Sequence, residues 1–364
     1  MYNFFLFVIG GTTDITVHEK QIDGTLKELT KASGKGVGGV SVDEALMEAI
    51  QNALHSHLLS RSQTRHPSNN ALTILQTEKP NVYLDMYYDV ENTKRTITTS
   101  TSRPVSFRIN YTVLDKLFKT HFGKGLSEFA VPIEEEEILL DAAIVNTIFD
   151  STAYHILNVI NRVKLSLKPD DISMIILVGG FANCEILQRK VQQQFSSIRV
   201  IVPVDAGLAT LLGAVLFGHS PLVITSRVTR KTYGVIVDDP FNEEKHPVSR
   251  KFYHYGTCYC SGIISLIVAQ NESIPVGTRF TKEYAAKPMV STTSIAIVTS
   301  EEDLPEFYND KSCRKIGTLE IDIPNPSALS RPLQVEYLFG DTELIVVANE
   351  KDTNIKFETK IVLD

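Results

Sequence analysis

The sequence predicts an α/β domain followed by a β-rich domain, and three observations carry that expectation. A glycine-closed strand pair opens the chain, a βαβα run lies between residues 174 and 217, and short alternating strands separated by turns follow Pro221. At 364 residues the chain exceeds the ~250 to 300 residues that one core usually supports, so at least two cores are expected. The boundary is placed near residue 222, giving domains 1–222 and 223–364, with an α/β insertion at about 45–125 in the first.

The elements follow in order. Residues 4–9 and 15–18 read as strands joined by the turn Gly10-Gly11-Thr12-Thr13-Asp14, a hairpin pattern. A glycine-rich stretch from Ser33 to Gly39 precedes a helix at 42–54, with Val42, Ala45, Leu46, Ile50 and Leu54 on one face. Residues 56–67 read as a loop, 81–95 as a helix, 106–110 as a strand and 114–122 as a short helix stopped at Gly123. The strongest helical periodicity covers 134–165, its acidic opening suited to the positive end of a helix dipole. The apolar run 174–178 reads as a strand buried on both faces, ending at Gly179-Gly180. A helix at 183–195, a strand at 199–202 and a helix at 206–217 complete the unit. After Pro221, strands at 294–299, 318–323, 333–339, 344–348 and 355–363, with a hairpin turn at Gly340-Asp341, read as a β-sandwich.

Composition excludes several classes. The chain is 43% hydrophobic and 22% charged, with 36 basic against 43 acidic side chains and a formal charge of −7; no basic stripe offers a nucleic acid a footprint. Cys184, Cys258, Cys260 and Cys313 are too few for a disulfide scaffold and fit a reducing, cytoplasmic location. Cys258 and Cys260 lack a zinc spacing and read as strand cysteines. The apolar run 4–9 is too short for a bilayer, and no stretch approaches the ~18 residues of a membrane span.

Phosphates are held where bends crowd backbone N–H groups together, and glycine permits the close approach. Two places qualify. The first is the opening turn, with the Thr12 hydroxyl and with Asp14 as a candidate for holding a metal through water. The second is Gly179-Gly180, where a strand end opens onto a helix, the usual ligand position in open α/β sheets.

Taken in order, the Gly-Gly-Thr-x-Asp hairpin, the Gly38-Gly39 turn before a helix, the segment Glu91-Asn92-Thr93-Lys94-Arg95-Thr96-Ile97-Thr98 and the distant strand-Gly179-Gly180-Phe181 resemble the second lobe of the actin-like (ribonuclease-H-like) ATPases. The 91–98 segment is similar to the adenosine-gripping helix of the 70-kilodalton heat-shock proteins. Ala32-Ser33-Gly34, Phe181, and residues 206–209 and 213–219 are most similar to that family's 12A/12B branch. The resemblance implies ATP or ADP with Mg2+ as cofactors. It implies that Gly10, Gly11 and Thr12 face the phosphates with Asp14 behind them, and that Gly39 approaches from the other side. Glu91 then bonds the ribose, Lys94, Arg95 and Thr98 flank the adenosine, and Gly179 and Gly180 let the ring lie against bare backbone. Unfolded peptides or protein partners are implied for the β-rich domain, without any particular binding residue.

The pattern is broken at three places. The family's phosphate-loop aspartate stands here as Phe7 and its first glycine as Ile9, and phosphoryl transfer depends on such charge positioning. The family's first lobe, roughly a domain's worth of residues, does not precede Met1, so the sequence reads as a fragment or a shortened relative. Its helical lid does not follow the last strand. The expected function is therefore adenine-nucleotide binding with weak or absent hydrolysis and no catalytic residue assigned. The alternative is a non-enzymatic interaction scaffold. A sugar or acetate kinase of the same superfold is disfavoured by the C-terminal strands.

Overall fold

The computed structural model describes residues 2–9, 11–55, 70–129, 133–134, 136–167, 172–339, 343–351 and 355–362. The loop expected at 56–67 and the turn expected at Gly340-Asp341 lie outside these residues. Three strands, β1 (Tyr2–Ile9), β2 (Thr12–Lys20) and β3 (Leu26–Lys35), open the chain. Helices α1 (Gly39–Leu54), α2 (Ala71–Glu78) and α3 (Pro80–Lys94) follow, then β4 (Val105–Arg108) and α4 (Tyr111–Phe122). Next come β5 (Ile133–Glu134), β6 (Glu137–Leu140), α5 (Ala142–Leu165) and β7 (Ile172–Val178). The alternation ends with α6 (Glu185–Gln194), β8 (Arg199–Ile201) and α7 (Ala209–His219).

The chain divides into two compact units, one of residues Met1–Thr16 with Ser33–Gly218, the other of Val17–Ala32 with His219–Asp364. In the first, β1 and β7 pair in parallel, with Phe4 opposite Ile175 and Phe7 opposite Val178, and β8 adds in parallel to β7. Parallel neighbours need covering helices. Helix α5 buries Val145, Phe149, Ala153, Ile156 and Ile160, α1 buries Val42, Leu46, Ile50 and Leu54, and the two helices contact each other. Each side chain of the α1 stripe contributes about 1.5 to 3 kcal/mol when removed from water. A small antiparallel sheet, ordered β4-β6-β5, lies with α2, α3 and α4 in the same unit. There His55, Phe118, Phe122 and Phe129 form a ring cluster, with His55 to Phe118 centroids 5.2 Å apart.

Residues 134 and 136–140 depart from the expected helix. They form β5 and β6, and Glu136 between them has φ 63°, a left-handed conformation that ends any helical run. Helix α5 begins only at Ala142, where the Asp141 carboxylate accepts the Ala143 N–H at 2.9 Å. Ile138 and Leu140 are buried and alternate with less buried neighbours, a strand pattern that helical periodicity at 138, 142 and 145 had mimicked.

In the second unit, β9 (Ile224–Val228) pairs in parallel with β3 and antiparallel with β13 (Ser273–Pro275), while β10 (Thr232–Pro240), β11 (Lys251–His254) and β12 (Thr257–Val268) precede that last strand in the chain. The chain continues through β14 (Arg279–Ala286), β15 (Thr292–Ser300), β16 (Cys313–Asp322), β17 (Arg331–Phe339), β18 (Glu343–Glu350) and β19 (Ile355–Val362). Two antiparallel sheets result, ordered β11-β12-β10-β15-β16 and β14-β17-β18-β19. They share one core: Val235, Ile297 and Ile321 from the first meet Val335, Tyr337, Leu344 and Val346 from the second. Residues 17–32 are assigned to this unit. The buried Glu28 carboxylate accepts the Val228 N–H at 3.0 Å, and the Thr225 hydroxyl donates to the Leu26 carbonyl at 3.2 Å.

Candidate functional site

Strand β7 ends because Gly179 turns to φ 99°, a conformation that L side chains rarely adopt. Its N–H donates to the Ala206 carbonyl at 2.7 Å, and a single 3-10 turn, Gly180–Asn183, leads into α6. A Cβ at Gly180 would meet nothing within 4 Å, so the backbone faces open space there. Across that space lies the C-terminal end of α3, where Glu91, Lys94 and Arg95 fall three and four residues apart and share a helix face. A cleft of about 470 Å³ results, lined by Gly39, Glu91, Lys94, Arg95, Ile97, Thr98, Gly180, Phe181, Asn183, Cys184, Glu185 and Gly207.

The fold thus gathers Gly39, Glu91, Lys94, Arg95, Thr98 and Gly180 from separate sequence segments, with Gly179 opening the adjoining turn. Gly11, Thr12 and Asp14 do not line this cleft. The Thr12 hydroxyl donates to the Asp14 carboxylate at 2.9 Å, and Asp14 packs so closely on Gly34 that a Cβ there would fall 2.4 Å from its Oδ1. Gly10 lies outside the described residues. Among those residues no group of three His, Cys, Asp or Glu side chains is placed to hold a metal.

The two cations of the cleft differ. Arg95 is exposed and pairs with Glu91. The Lys94 ammonium is turned inward, donating to Asp43 Oδ2 at 2.6 Å and to the Gly39 carbonyl at 3.1 Å. Burial pushes the Asp43 carboxyl above its usual range, and the hydrogen bond and charge of Lys94 pull it back. Two of the three Lys94 donors are therefore engaged within the chain, one by the buried Asp43 carboxylate and one by the Gly39 carbonyl. On the other wall Phe181 is buried, its ring 6.5 Å from that of Phe149. The Thr99 hydroxyl donates to Glu185 at 2.7 Å across the rim. Burial raises the Cys184 thiol.

Sequence reasoning missed Asp43 and Glu185. Asp43 had a signal, an acid between Val42 and Leu46 on the buried face of α1; Glu185 had none, since only tertiary structure brings it to Thr99. Cys258 and Cys260 are strand residues of β12, and burial raises the Cys260 thiol. Among the described residues no helix is long and apolar enough to cross a membrane.

Several sheets with interspersed helices, and a cleft at a strand-Gly-Gly end, make this a mixed α/β protein consistent with the actin-like, 70-kilodalton heat-shock-related fold. Comparison with curated proteins gives the nearer relationship. Homologues include heat shock 70 kDa protein 12A of Homo sapiens, 29% identical over 353 residues, covering 93% of this chain and 50% of the relative. The Mus musculus protein of the same name is 28% identical over 359 residues, and heat shock 70 kDa protein 12B of Homo sapiens 27% over 365, each covering 95% of this chain and 51% of the relative. The chain spans about half the length of the curated relatives it matches. No protein-family model matches the sequence.

Proposed function

We propose that this chain binds an adenine nucleotide in the cleft between α3 and the Gly179-Gly180 turn, with weak or absent hydrolysis, as a chaperone-related member of the heat-shock-70 group. The observation that carries this reading is the convergence of Gly39, Glu91, Arg95, Thr98 and Gly180 on one cleft of nucleoside size. Glu91 is assigned to the ribose hydroxyls, Arg95 and Thr98 to the adenosine, and the bare backbone of Gly179 and Gly180 to the ring. Gly10, Gly11 and Thr12 are assigned to the phosphates. The residues fit the nucleotide in part: base-side groups converge, whereas Mg2+ finds only Asp14, which is already engaged by Thr12. When bound, Mg2+ would neutralise phosphate charge, and Asp14 is the residue that would hold it through water. Phe7 in place of an aspartate supports weak hydrolysis.

The organisation proposed is a second ATPase lobe, residues 1–222 with the insertion at about 45–125, followed by a β-sandwich of 223–364 as the protein-binding domain, in a cytoplasmic setting. Titration of the purified chain with labelled ADP and ATP tests the reading: saturable binding is expected, and none at millimolar nucleotide would overturn it. One observation favours a second reading, an interaction scaffold: both cleft cations are already paired within the chain. That reading expects no nucleotide binding and a partner retained by a Gly179→Val protein.

A further inference from the structure

We infer that Asp43 is a positioning residue of the cleft: it holds the Lys94 ammonium inward against the Gly39 carbonyl, so that Lys94 meets a ligand with its methylene stem and not its charge. This rests on the nucleotide reading above but assigns a residue outside the cleft lining.

An ammonium has three donors, and two are committed, at 2.6 Å to Asp43 and 3.1 Å to Gly39. The side chains of Lys94 and Asp43 are 10% and 3% exposed, so the pair lies almost wholly out of water. A charge placed there cannot leave its partner without stranding a buried carboxylate, which is strongly unfavourable. Asp43 itself is fixed by the apolar stripe of α1, between Val42 and Leu46. Arg95, one residue on, is 68% exposed, and surface pairs such as Arg95–Glu91 are weak enough to exchange for a ligand. Adjacent cations thus have opposite roles: the Lys94 stem and Phe181 are apolar walls, and Arg95 supplies the donors.

The test combines chemical labelling with ADP titration. Acetic anhydride should modify Lys94 far more slowly than the exposed Lys116 in the natural protein, and Asp43→Asn should speed Lys94 labelling about tenfold as the buried pair is lost. Equal rates for Lys94 and Lys116, or no change in Asp43→Asn, would overturn the inference. Two neutral double variants then separate stem from charge without stranding Asp43. The pair D43N/K94A should weaken ADP binding about tenfold, whereas D43N/K94M, which keeps an apolar stem, should lose no more than about threefold. Equal losses in both, or none in either, would overturn it. Absence of ADP binding to the natural protein would remove the nucleotide reading and with it the ligand role of the stem, while labelling would still decide whether Asp43 holds Lys94.

Discussion

Burial, and secondarily the charge of Arg227, hold the His18 imidazole down to about 4. A histidine kept neutral in the fold binds fewer protons than in the unfolded chain between its folded value and the ordinary 6.5, so stability rises with pH across that window. The penalty is absent above about pH 7 and grows as pH falls toward 4, reaching on the order of 3 kcal/mol. Glu28 has the opposite sign. Burial raises its carboxyl, so its contribution is present at low pH and lost as pH rises above the usual glutamate range. Urea unfolding at pH 7 and pH 5 should show lower stability at pH 5, and a smaller difference in His18→Gln; an identical difference would refute the assignment. Gly262 offers a second residue-scale prediction. Its φ is 74°, and a Cβ there would fall 2.5 Å from the Tyr308 ring. Gly262→Ala should cost about 1 to 3 kcal/mol in denaturant midpoint multiplied by slope. Gly24, whose added Cβ would meet nothing within 4 Å, is the control expected to cost less.

At the scale of elements, the start of α5 followed side-chain capping and not hydrophobic period. Asp141 caps α5, and Asp141→Ala should destabilise the unit by about 1 kcal/mol, read as a shift in chemical unfolding without loss of the far-ultraviolet helix signal. The periodicity that ran on to residue 134 was real, but Ile138 belongs to a strand paired with β4, with Phe107 opposite it. Here a long-range pairing outweighed a local pattern. Other elements were legible because their signals were unopposed. Residues 174–178 lie within β7, the stripe 42–54 is α1, and 81–95 nearly coincides with α3. Strand β3 was not read in advance, since Leu26–Lys35 contains a Lys-Glu-Leu-Thr-Lys alternation of weak contrast and is completed only by its sheet neighbours β2 and β9.

For the molecule as a whole, two separate cores predict calorimetric unfolding in more than one transition. If the cleft binds ADP, nucleotide at about 100 times its dissociation constant stabilises the unit of residues 1–16 and 33–218 by about 2.7 kcal/mol. The transition belonging to that unit should move up, while the β-rich transition keeps its position; a shift in neither at saturating ADP would count against binding. The homologues are about twice as long as this chain, so comparison with a full-length relative is the natural extension of that experiment.

Several residues that line the cleft were legible in the order of short motifs, because glycine at a strand end and a Glu-x-x-Lys-Arg helix terminus are local necessities of backbone approach and helical spacing. The sequence by itself determined the α/β character of the first part, the all-strand character of the second and the resemblance to one heat-shock branch. Tertiary structure alone decided which charges are available. It placed Asp43 within reach of Lys94 across 51 residues and Glu185 within reach of Thr99 across 86, and so turned the charge of a lysine expected to flank the adenosine inward, with two of its three donors engaged. The reason is physical: local sequence sets which conformation a segment prefers, but the cost of burying a charge is settled only by what the rest of the chain brings beside it.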